Sequence, residues 1–187
     1  MNRVTLILGG ARSGKSRHAE AVAAKHRGGK TYIATAEAFD DEMRARIDQH
    51  REQRDKGWTT CEAPLDLVAA FTAAATGFVL IDCITVWIGN LMHHRRDVKR
   101  EVALLCGALT STKARVVIVS NEVGLGIVPD NALARTFRDE QGLANQRIAE
   151  LADEVILVAA GLPMVLKKPR RRRAPKPRAK SSRGRKI

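Results

Sequence analysis

The stretch VTLILGGARSGKS, residues 4–16, decides the fold of this 187-residue chain. Residues 4–8 form a short apolar run rich in β-forming residues, which is typical of a buried strand in a parallel sheet. Residues 9–16 match the phosphate-loop pattern G-x-x-x-x-G-K-S/T, and an Ala-rich, helix-forming segment follows to about Ala24. Because a phosphate loop needs a strand before it and a helix after it, this context favours nucleotide binding over a chance glycine-rich turn.

Each residue type of this loop has a physical role in holding phosphate. Glycines allow the backbone to curl around an anion with its N–H groups pointing inward, and the N-terminus of the following helix adds positive potential. The Lys15 ammonium is expected to reach the β- and γ-phosphates, and the Ser16 hydroxyl is expected to ligate Mg²⁺. The loop residues predicted to bind the triphosphate are Gly9, Gly10, Ala11, Arg12, Ser13, Gly14, Lys15 and Ser16.

Strand-like and helix-like segments alternate through the rest of the chain. Strands are predicted at residues 31–34, 78–81, 116–119, 155–158 and 164–166. Helices are predicted at residues 40–54, 65–75, 97–109 and 131–152. This alternation predicts an α/β fold with a mostly parallel sheet flanked by helices.

Asp82 directly follows the apolar strand predicted at residues 78–81. A P-loop protein usually supplies a second acidic group near Mg²⁺ from the end of a neighbouring strand, and Asp82 is the leading candidate for that group. The alternative is a helix cap or a turn residue, since Asp is common at such positions.

The charged helix predicted at residues 40–54 carries a histidine between two arginines. Arg46, His50 and Arg54 are four residues apart and therefore share one stripe of the helix. The flanking arginines disfavour the imidazolium, which would keep the His50 ring neutral and nucleophilic, and they could also hold phosphate oxygens. Spacing alone favours the other interpretation of this stripe, a solvated helix face.

The net charge of +13 is concentrated at the end of the chain. Residues 167–187 contain 12 basic residues and no acidic one, which leaves 21 basic against 20 acidic residues in 1–166. A nearly neutral folded part argues against a nucleic-acid-binding domain. We therefore predict one folded domain at residues 1–167 and a disordered basic tail at residues 168–187.

Cysteine usage and apolar run length bear on the compartment. Cys61, Cys83 and Cys106 form no C-x-x-C pair, and an odd, sparse set of cysteines is typical of the reducing cytoplasm. The longest apolar stretch, residues 155–166, is too short to cross a bilayer and is interrupted by Gly161 and Pro163. The sequence therefore predicts a cytoplasmic protein with no transmembrane segment.

Several longer blocks carry a resemblance to a known family. They are LILGGARSGKSRHAE, YIATAEAFDDEMRARIDQHR, WTTCEAP, LIDCITVWIGNLM and the block that begins VSNEVGLGIVP. Over nearly all of residues 3–167 the chain resembles the bifunctional adenosylcobinamide kinase/adenosylcobinamide-phosphate guanylyltransferases of cobalamin biosynthesis. The resemblance implies a RecA-like P-loop NTPase fold, usually assembled as a homotrimer. It also implies two reactions: ATP or GTP phosphorylates a hydroxyl of adenosylcobinamide, and GTP then donates GMP to that phosphate.

The same resemblance implies roles for particular residues. The histidine that carries GMP as a covalent intermediate falls on His50, which reverses the interpretation of its stripe from spacing alone. The further guanine-nucleotide contacts fall on Ala34, Thr35, Ala36, Arg51, Glu52, Gln53, Arg54, Glu62 and Asp82. No residue of the sequence is assigned as the base for the substrate hydroxyl, and none to the corrinoid pocket.

The chain departs from the family pattern at two places. Arg54-Asp55 stands where the family commonly has Arg-Pro, so the turn after the histidine helix is expected to differ. The tail has no counterpart in the pattern, and three interpretations are open: an electrostatic site for RNA, DNA or phospholipid, a solvated extension, or a reading-frame accident. The sequence leaves two rival functions open. One is a single-activity small-molecule kinase, and the other is a nucleic-acid-dependent ATPase that uses the tail.

Overall fold

The computed structural model describes residues 3–37, 57–74 and 76–168. The strands in these residues are β1 Val4–Gly9, β2 Lys30–Ala34, β3 Trp58–Glu62, β4 Phe78–Asp82, β5 Arg115–Asn121, β6 Glu154–Ala159 and β7 Leu162–Lys167. The helices are α1 Lys15–Ala23, α2 Leu67–Ala74, α3 Ile84–His93, α4 Val98–Ser111 and α5 Ala132–Leu151. Side chains cap two of these helices, since Asp97 accepts from the Arg100 N–H and Asn131 from the Ala134 N–H.

The seven strands form one sheet in the order β3-β2-β4-β5-β1-β6-β7. Every neighbouring pair is parallel except β6 and β7, which form an antiparallel hairpin. The predicted α/β class with a mostly parallel sheet is therefore confirmed. Strands β1 to β6 all end at the same side of the sheet, which we call the carboxyl edge, and they begin at the amino edge.

Both faces of the central strands are buried because helices cover both. Leu6 and Ile118 pack on the face covered by α2 to α5, whereas Ile7 and Val117 pack on the face covered by α1. Alternate side chains of one strand point to opposite faces, so a strand between two helical layers must be apolar at every position. This explains the uninterrupted apolar runs from which these strands were predicted.

Two elements differ from the sequence-based expectation, which contained neither β3 nor α3. Strand β3 lies at the edge of the sheet and is half-buried or exposed at each position, so its sequence WTTCE has no apolar run. Helix α3 is rich in β-branched and apolar residues, and Cys83 before it makes no side-chain cap. Packing against the sheet stabilises α3 in spite of this: Trp87 is fully buried, and its Nε1–H donates to Leu65 O at 2.9 Å.

Strand β7 is the last described strand, and its final residue is bonded to α5. Lys167 Nζ donates to Ala149 O at 2.9 Å and to Glu150 O at 2.7 Å, two carbonyls in the last turn of that helix. The predicted tail lies, apart from Lys168, outside the described residues. Within the described ranges, no helix has both the length and the apolar character required to cross a membrane.

Candidate active site

The phosphate loop connects β1 to α1 at the carboxyl edge. Gly14 precedes the helix with φ of 94°, and Arg12 is also in the left-handed region with φ of 55°. Ser13 N–H donates to Gly10 O at 3.3 Å, which closes the loop into a turn. Lys15 Nζ donates to the same carbonyl at 3.0 Å, so the ammonium lies over the loop. The loop thus has the strand–loop–helix setting that the sequence pattern requires.

Close packing explains why positions 9 and 14 are glycines. A Cβ on Gly9 would lie 2.6 Å from Val158 O, and a Cβ on Gly14 would lie 3.3 Å from the Cα of Gly161. The turn between β6 and β7 supports the loop from outside, because Gly161 N–H donates to Ser13 O at 2.9 Å. The structure therefore holds the loop between its own strand and a neighbouring hairpin.

Three further predicted contacts lie side by side at the carboxyl edge. Ala34 at the end of β2 pairs with Glu62 of β3 on one side and with Asp82 of β4 on the other. Thr35 N–H donates to Asp82 O at 3.2 Å, which continues the pairing by one residue. Tyr32 OH donates to Asp82 Oδ2 at 2.9 Å and orients that carboxylate. Parallel strand ends bring together residues that are far apart in sequence.

Buried Thr35 fixes the segment that follows β2. Its hydroxyl accepts from Cys83 N–H at 2.9 Å and donates to Cys83 O at 2.8 Å. Its carbonyl accepts from Asn90 Nδ2 at 2.8 Å, and the same amide nitrogen donates to Pro64 O at 3.0 Å. Asn90 was missed from the sequence, where its only signal is an amide within the apolar segment ITVWIGNLM. The buried amide ties α3 to two loops of the site.

The Cys83 thiol lies at the carboxyl edge, next to Asp82 in the chain. Burial, with Asp82 as the next cause, raises the pKa of the Cys83 thiol to about 12, while Lys15 acts in the opposite direction. The thiol is neutral at physiological pH, so Cys83 is not a nucleophile there.

Strand β5 separates the phosphate loop from Asp82. In the sheet order β5 lies between β1 and β4, so Gly9 and the end of β4 are two strand spacings apart, roughly 10 Å. The end of β5 fills this gap: Asn121 pairs with Gly9, and Glu122 N–H donates to Gly9 O at 3.1 Å. The sequence block NEVGLGIVP contributed to the resemblance, but its residues received no individual role.

The predicted metal ligands have the chemistry that Mg²⁺ requires. The Ser16 hydroxyl and the Asp82 carboxylate are hard oxygen donors, and Mg²⁺ is usually held by one or two such groups with water and substrate phosphates. Among the described residues no group of three or more His, Cys, Asp or Glu side chains is placed to hold a metal. The oxygens of Ser16 and Asp82 therefore fit a magnesium ion whose other ligands are water and nucleotide phosphates.

The histidine helix lies outside the described residues. This applies to His50 and to the other predicted residues of that segment, Arg46, Arg51, Glu52, Gln53 and Arg54.

A parallel sheet with this loop between β1 and α1 defines a P-loop nucleotide-binding α/β protein. The fold is similar to that of an ATPase from the type III secretion system of pathogenic bacteria, with a TM-score of 0.52 and 9% sequence identity. That match covers 87% of this chain and 56% of the ATPase, so this chain spans about half of that protein. At this identity the likeness shows the fold alone, and it agrees with the RecA-like P-loop fold predicted from the sequence.

Residues 5–166 match the family described as cobinamide kinase / cobinamide phosphate guanyltransferase. The bifunctional adenosylcobalamin biosynthesis protein CobP of Pseudomonas aeruginosa is 47% identical over 168 residues, covering 87% of this chain and 96% of that protein. The bifunctional adenosylcobalamin biosynthesis protein CobU of Salmonella typhimurium is 42% identical over 179 residues, covering 87% and 98%. The chain belongs to this family. It is an enzyme of cobalamin biosynthesis with kinase and guanylyltransferase activities, as predicted from its sequence.

Proposed function

We propose that both reactions use one nucleotide site, formed by residues 9–16 and the carboxyl edge, and that GMP is carried on His50. The observation that supports this most is the strand pairing at the carboxyl edge: β5 pairs with β1, which leads into the phosphate loop, and with β4, which ends at Asp82. Ala34, Thr35, Ala36 and Glu62 are proposed to contact the guanine nucleotide from the same edge.

In the kinase step the protein mainly positions the phosphates and neutralises their charge. Lys15 and the N–H groups of the loop bind the β- and γ-phosphate oxygens, while Ser16 and Asp82 hold the magnesium ion. When bound, Mg²⁺ supplies positive charge at the phosphates, which stabilises the charge that develops on the leaving diphosphate. The acceptor hydroxyl of adenosylcobinamide attacks the γ-phosphorus.

In the guanylyl step a histidine nitrogen divides one difficult transfer into two. The lone pair of His50 forms a bond to the α-phosphorus of GTP, and pyrophosphate leaves with the electrons of the broken P–O bond. A phosphate oxygen of adenosylcobinamide phosphate then displaces the histidine and forms adenosylcobinamide-GDP. Arg46 and Arg54 disfavour the protonated ring through like charge and so keep the lone pair available.

The test is covalent labelling by α-labelled GTP in the presence of Mg²⁺, followed by a denaturing gel. The wild type should be labelled, the label should be lost in mild acid and persist in alkali, and chelation of Mg²⁺ should prevent its formation. His50→Ala should abolish labelling and formation of adenosylcobinamide-GDP while phosphorylation of adenosylcobinamide survives.

His26→Ala is the matched control, because His26 lies beyond the end of α1, at the amino edge, with its ring centroid 5.5 Å from that of the Phe78 ring. This variant should be labelled like the wild type. Undiminished, acid-stable labelling of the His50→Ala protein would show that another residue is the nucleophile, with His18 and Lys15 the first to examine.

We also propose a homotrimer acting in the cytoplasm, as the resemblance implies. Strand β7 supports association, since as an edge strand it exposes the apolar side chains of Leu162, Met164, Val165 and Leu166. The three cysteines of the chain are free thiols, as expected in a reducing compartment. Light scattering coupled to size-exclusion chromatography would test the trimer, and a monomeric mass would contradict it.

A further inference from the structure

A buried polar network fixes the end of β5 next to the phosphate loop. Ser120 Oγ donates to Asn145 Oδ1 at 2.7 Å, and Gln141 Nε2 donates to Ser120 Oγ at 2.8 Å and to Asn145 Oδ1 at 3.0 Å. These three residues are almost completely buried. Polar side chains are costly in an apolar interior unless they are hydrogen-bonded, so a connected set of this kind holds one defined arrangement.

Side chains of two helices, one of them from this network, fix both backbone groups of Asn121. Its carbonyl accepts from Asn145 Nδ2 of α5 at 2.9 Å, and its N–H donates to Thr85 Oγ1 of α3 at 2.7 Å. Two helices therefore set the position at which β5 ends. The next residue, Glu122, begins its loop from a fixed point.

Glu122 and Lys15 are held by consecutive carbonyls of the phosphate loop. Glu122 N–H donates to Gly9 O at 3.1 Å, and Lys15 Nζ donates to Gly10 O at 3.0 Å. The backbone N–H of Glu122 and the lysine ammonium are thus bound to adjacent residues of the phosphate loop.

Among the described residues, three carboxylate residues end or directly follow a strand at the carboxyl edge, and Glu122 follows the strand nearest to β1. Glu62, Asp82 and Glu122 are four, two and one strands away from β1. With a strand spacing of about 4.8 Å, these separations are roughly 19, 10 and 5 Å. Asp82 is in addition the proposed magnesium ligand, which leaves Glu122 for proton transfer.

We propose that Glu122 is the catalytic base of the kinase step, a role that rests on the proposed binding of the triphosphate by residues 9–16. A carboxylate oxygen of Glu122 takes the proton of the acceptor hydroxyl while the hydroxyl oxygen forms a bond to the γ-phosphorus. The bond from that phosphorus to the bridging oxygen breaks, and the nucleoside diphosphate leaves with its electron pair. In the structure Glu122 Oε1 accepts from Gly124 N–H, which orients the carboxylate within its loop before the substrate binds.

The test compares Glu122→Gln with the wild type in both reactions. Glutamine retains an oxygen acceptor for the Gly124 N–H but is not a base, so the loop should keep its conformation. A positioned general base contributes about 10²- to 10⁴-fold, so kcat for phosphorylation should fall at least about 100-fold. The KM for the nucleotide should change by less than about threefold, and labelling by α-labelled GTP should be unchanged, since attack by His50 does not use this base.

Asp130→Asn is the matched control, because this exposed carboxylate lies on the same loop, and it should leave phosphorylation unchanged. Phosphorylation within threefold of the wild type in Glu122→Gln would overturn the proposal. Equal loss of phosphorylation and of labelling would also overturn it, since it would show a role in nucleotide binding or in the fold. If Glu122→Gln fails to fold, Glu122→Asp is measured instead. Its carboxylate is on a shorter side chain, so kcat for phosphorylation should fall about tenfold, and a rate within threefold of the wild type would again overturn the proposal. A different result would show that the underlying site assignment is wrong: Lys15→Ala would then phosphorylate adenosylcobinamide as fast as the wild type.

Discussion

Similar hydrogen bonds have different roles at the two edges of the sheet. At the amino edge, the Asp153 carboxylate accepts from Arg3 N–H at 2.8 Å and from Val4 N–H at 3.1 Å, and Phe78 N–H donates to Gly29 O at 3.1 Å. These bonds extend the sheet and satisfy backbone groups. At the carboxyl edge, the bonds made by Thr35 and Asn121 fix loops that carry charged side chains.

The difference follows from the polarity of a parallel sheet. The carboxyl ends of its strands meet at one edge, and the loops there lead into helix N-termini, which favour anions. At the amino edge the chain arrives from helix C-termini, whose partial negative charge does not favour phosphate. Substitutions at the carboxyl edge should therefore change activity, and substitutions at the amino edge should change stability.

Of the three changes that compare the two edges and the tail, Lys15→Ala at the carboxyl edge is expected to have the largest effect. A preorganised charge on the reacting phosphates is typically worth about 3 kcal/mol, so each activity should fall by more than about tenfold, toward 100-fold. Assays of adenosylcobinamide phosphorylation and of GMP transfer measure it. Lys25→Ala, an exposed lysine just beyond the other end of α1, should leave both activities unchanged. Loss of only one activity would show that the two reactions use separate triphosphate sites.

An intermediate effect is expected for Asp153→Ala on the amino edge. The change removes the acceptor of two backbone N–H groups, of which that of Val4 is partly buried, and should lower the free energy of unfolding by about 1–3 kcal/mol. Urea denaturation measures this, and kcat at a temperature where the variant is folded should be unchanged. Asp139→Ala, on the exposed surface of α5, should change stability by less than about 0.5 kcal/mol. A loss of kcat without a loss of stability would break the contrast between the edges.

The smallest effect is expected from deletion of residues 168–187. The last described strand, β7, ends at Lys167, which is bonded to the last turn of α5, and a basic segment poor in apolar residues is expected to bury little surface. Both activities and the melting temperature should stay nearly unchanged, whereas retention on a cation exchanger should fall sharply. A truncated protein that unfolds or loses catalysis would place the tail within the domain.

The amino-acid sequence by itself determined the strand–loop–helix unit of residues 4–23, the α/β class and the strand that ends at Asp82. These features are local, since motif spacing and apolar periodicity are properties of neighbouring residues. Residues 38–56, with His50, lie outside the described part, so the role of that histidine stays a prediction from sequence.

Only the tertiary structure decided which strand ends lie together. The sequence does not reveal that β5 lies between β1 and β4, and so it could not place Glu122 beside Gly9 or Asp82 beside Ala34. The same holds for β3 and α3, which lack local signals and are held by pairing and packing. Strand order depends on contacts between residues about 30 to over 100 positions apart, which local propensity does not encode.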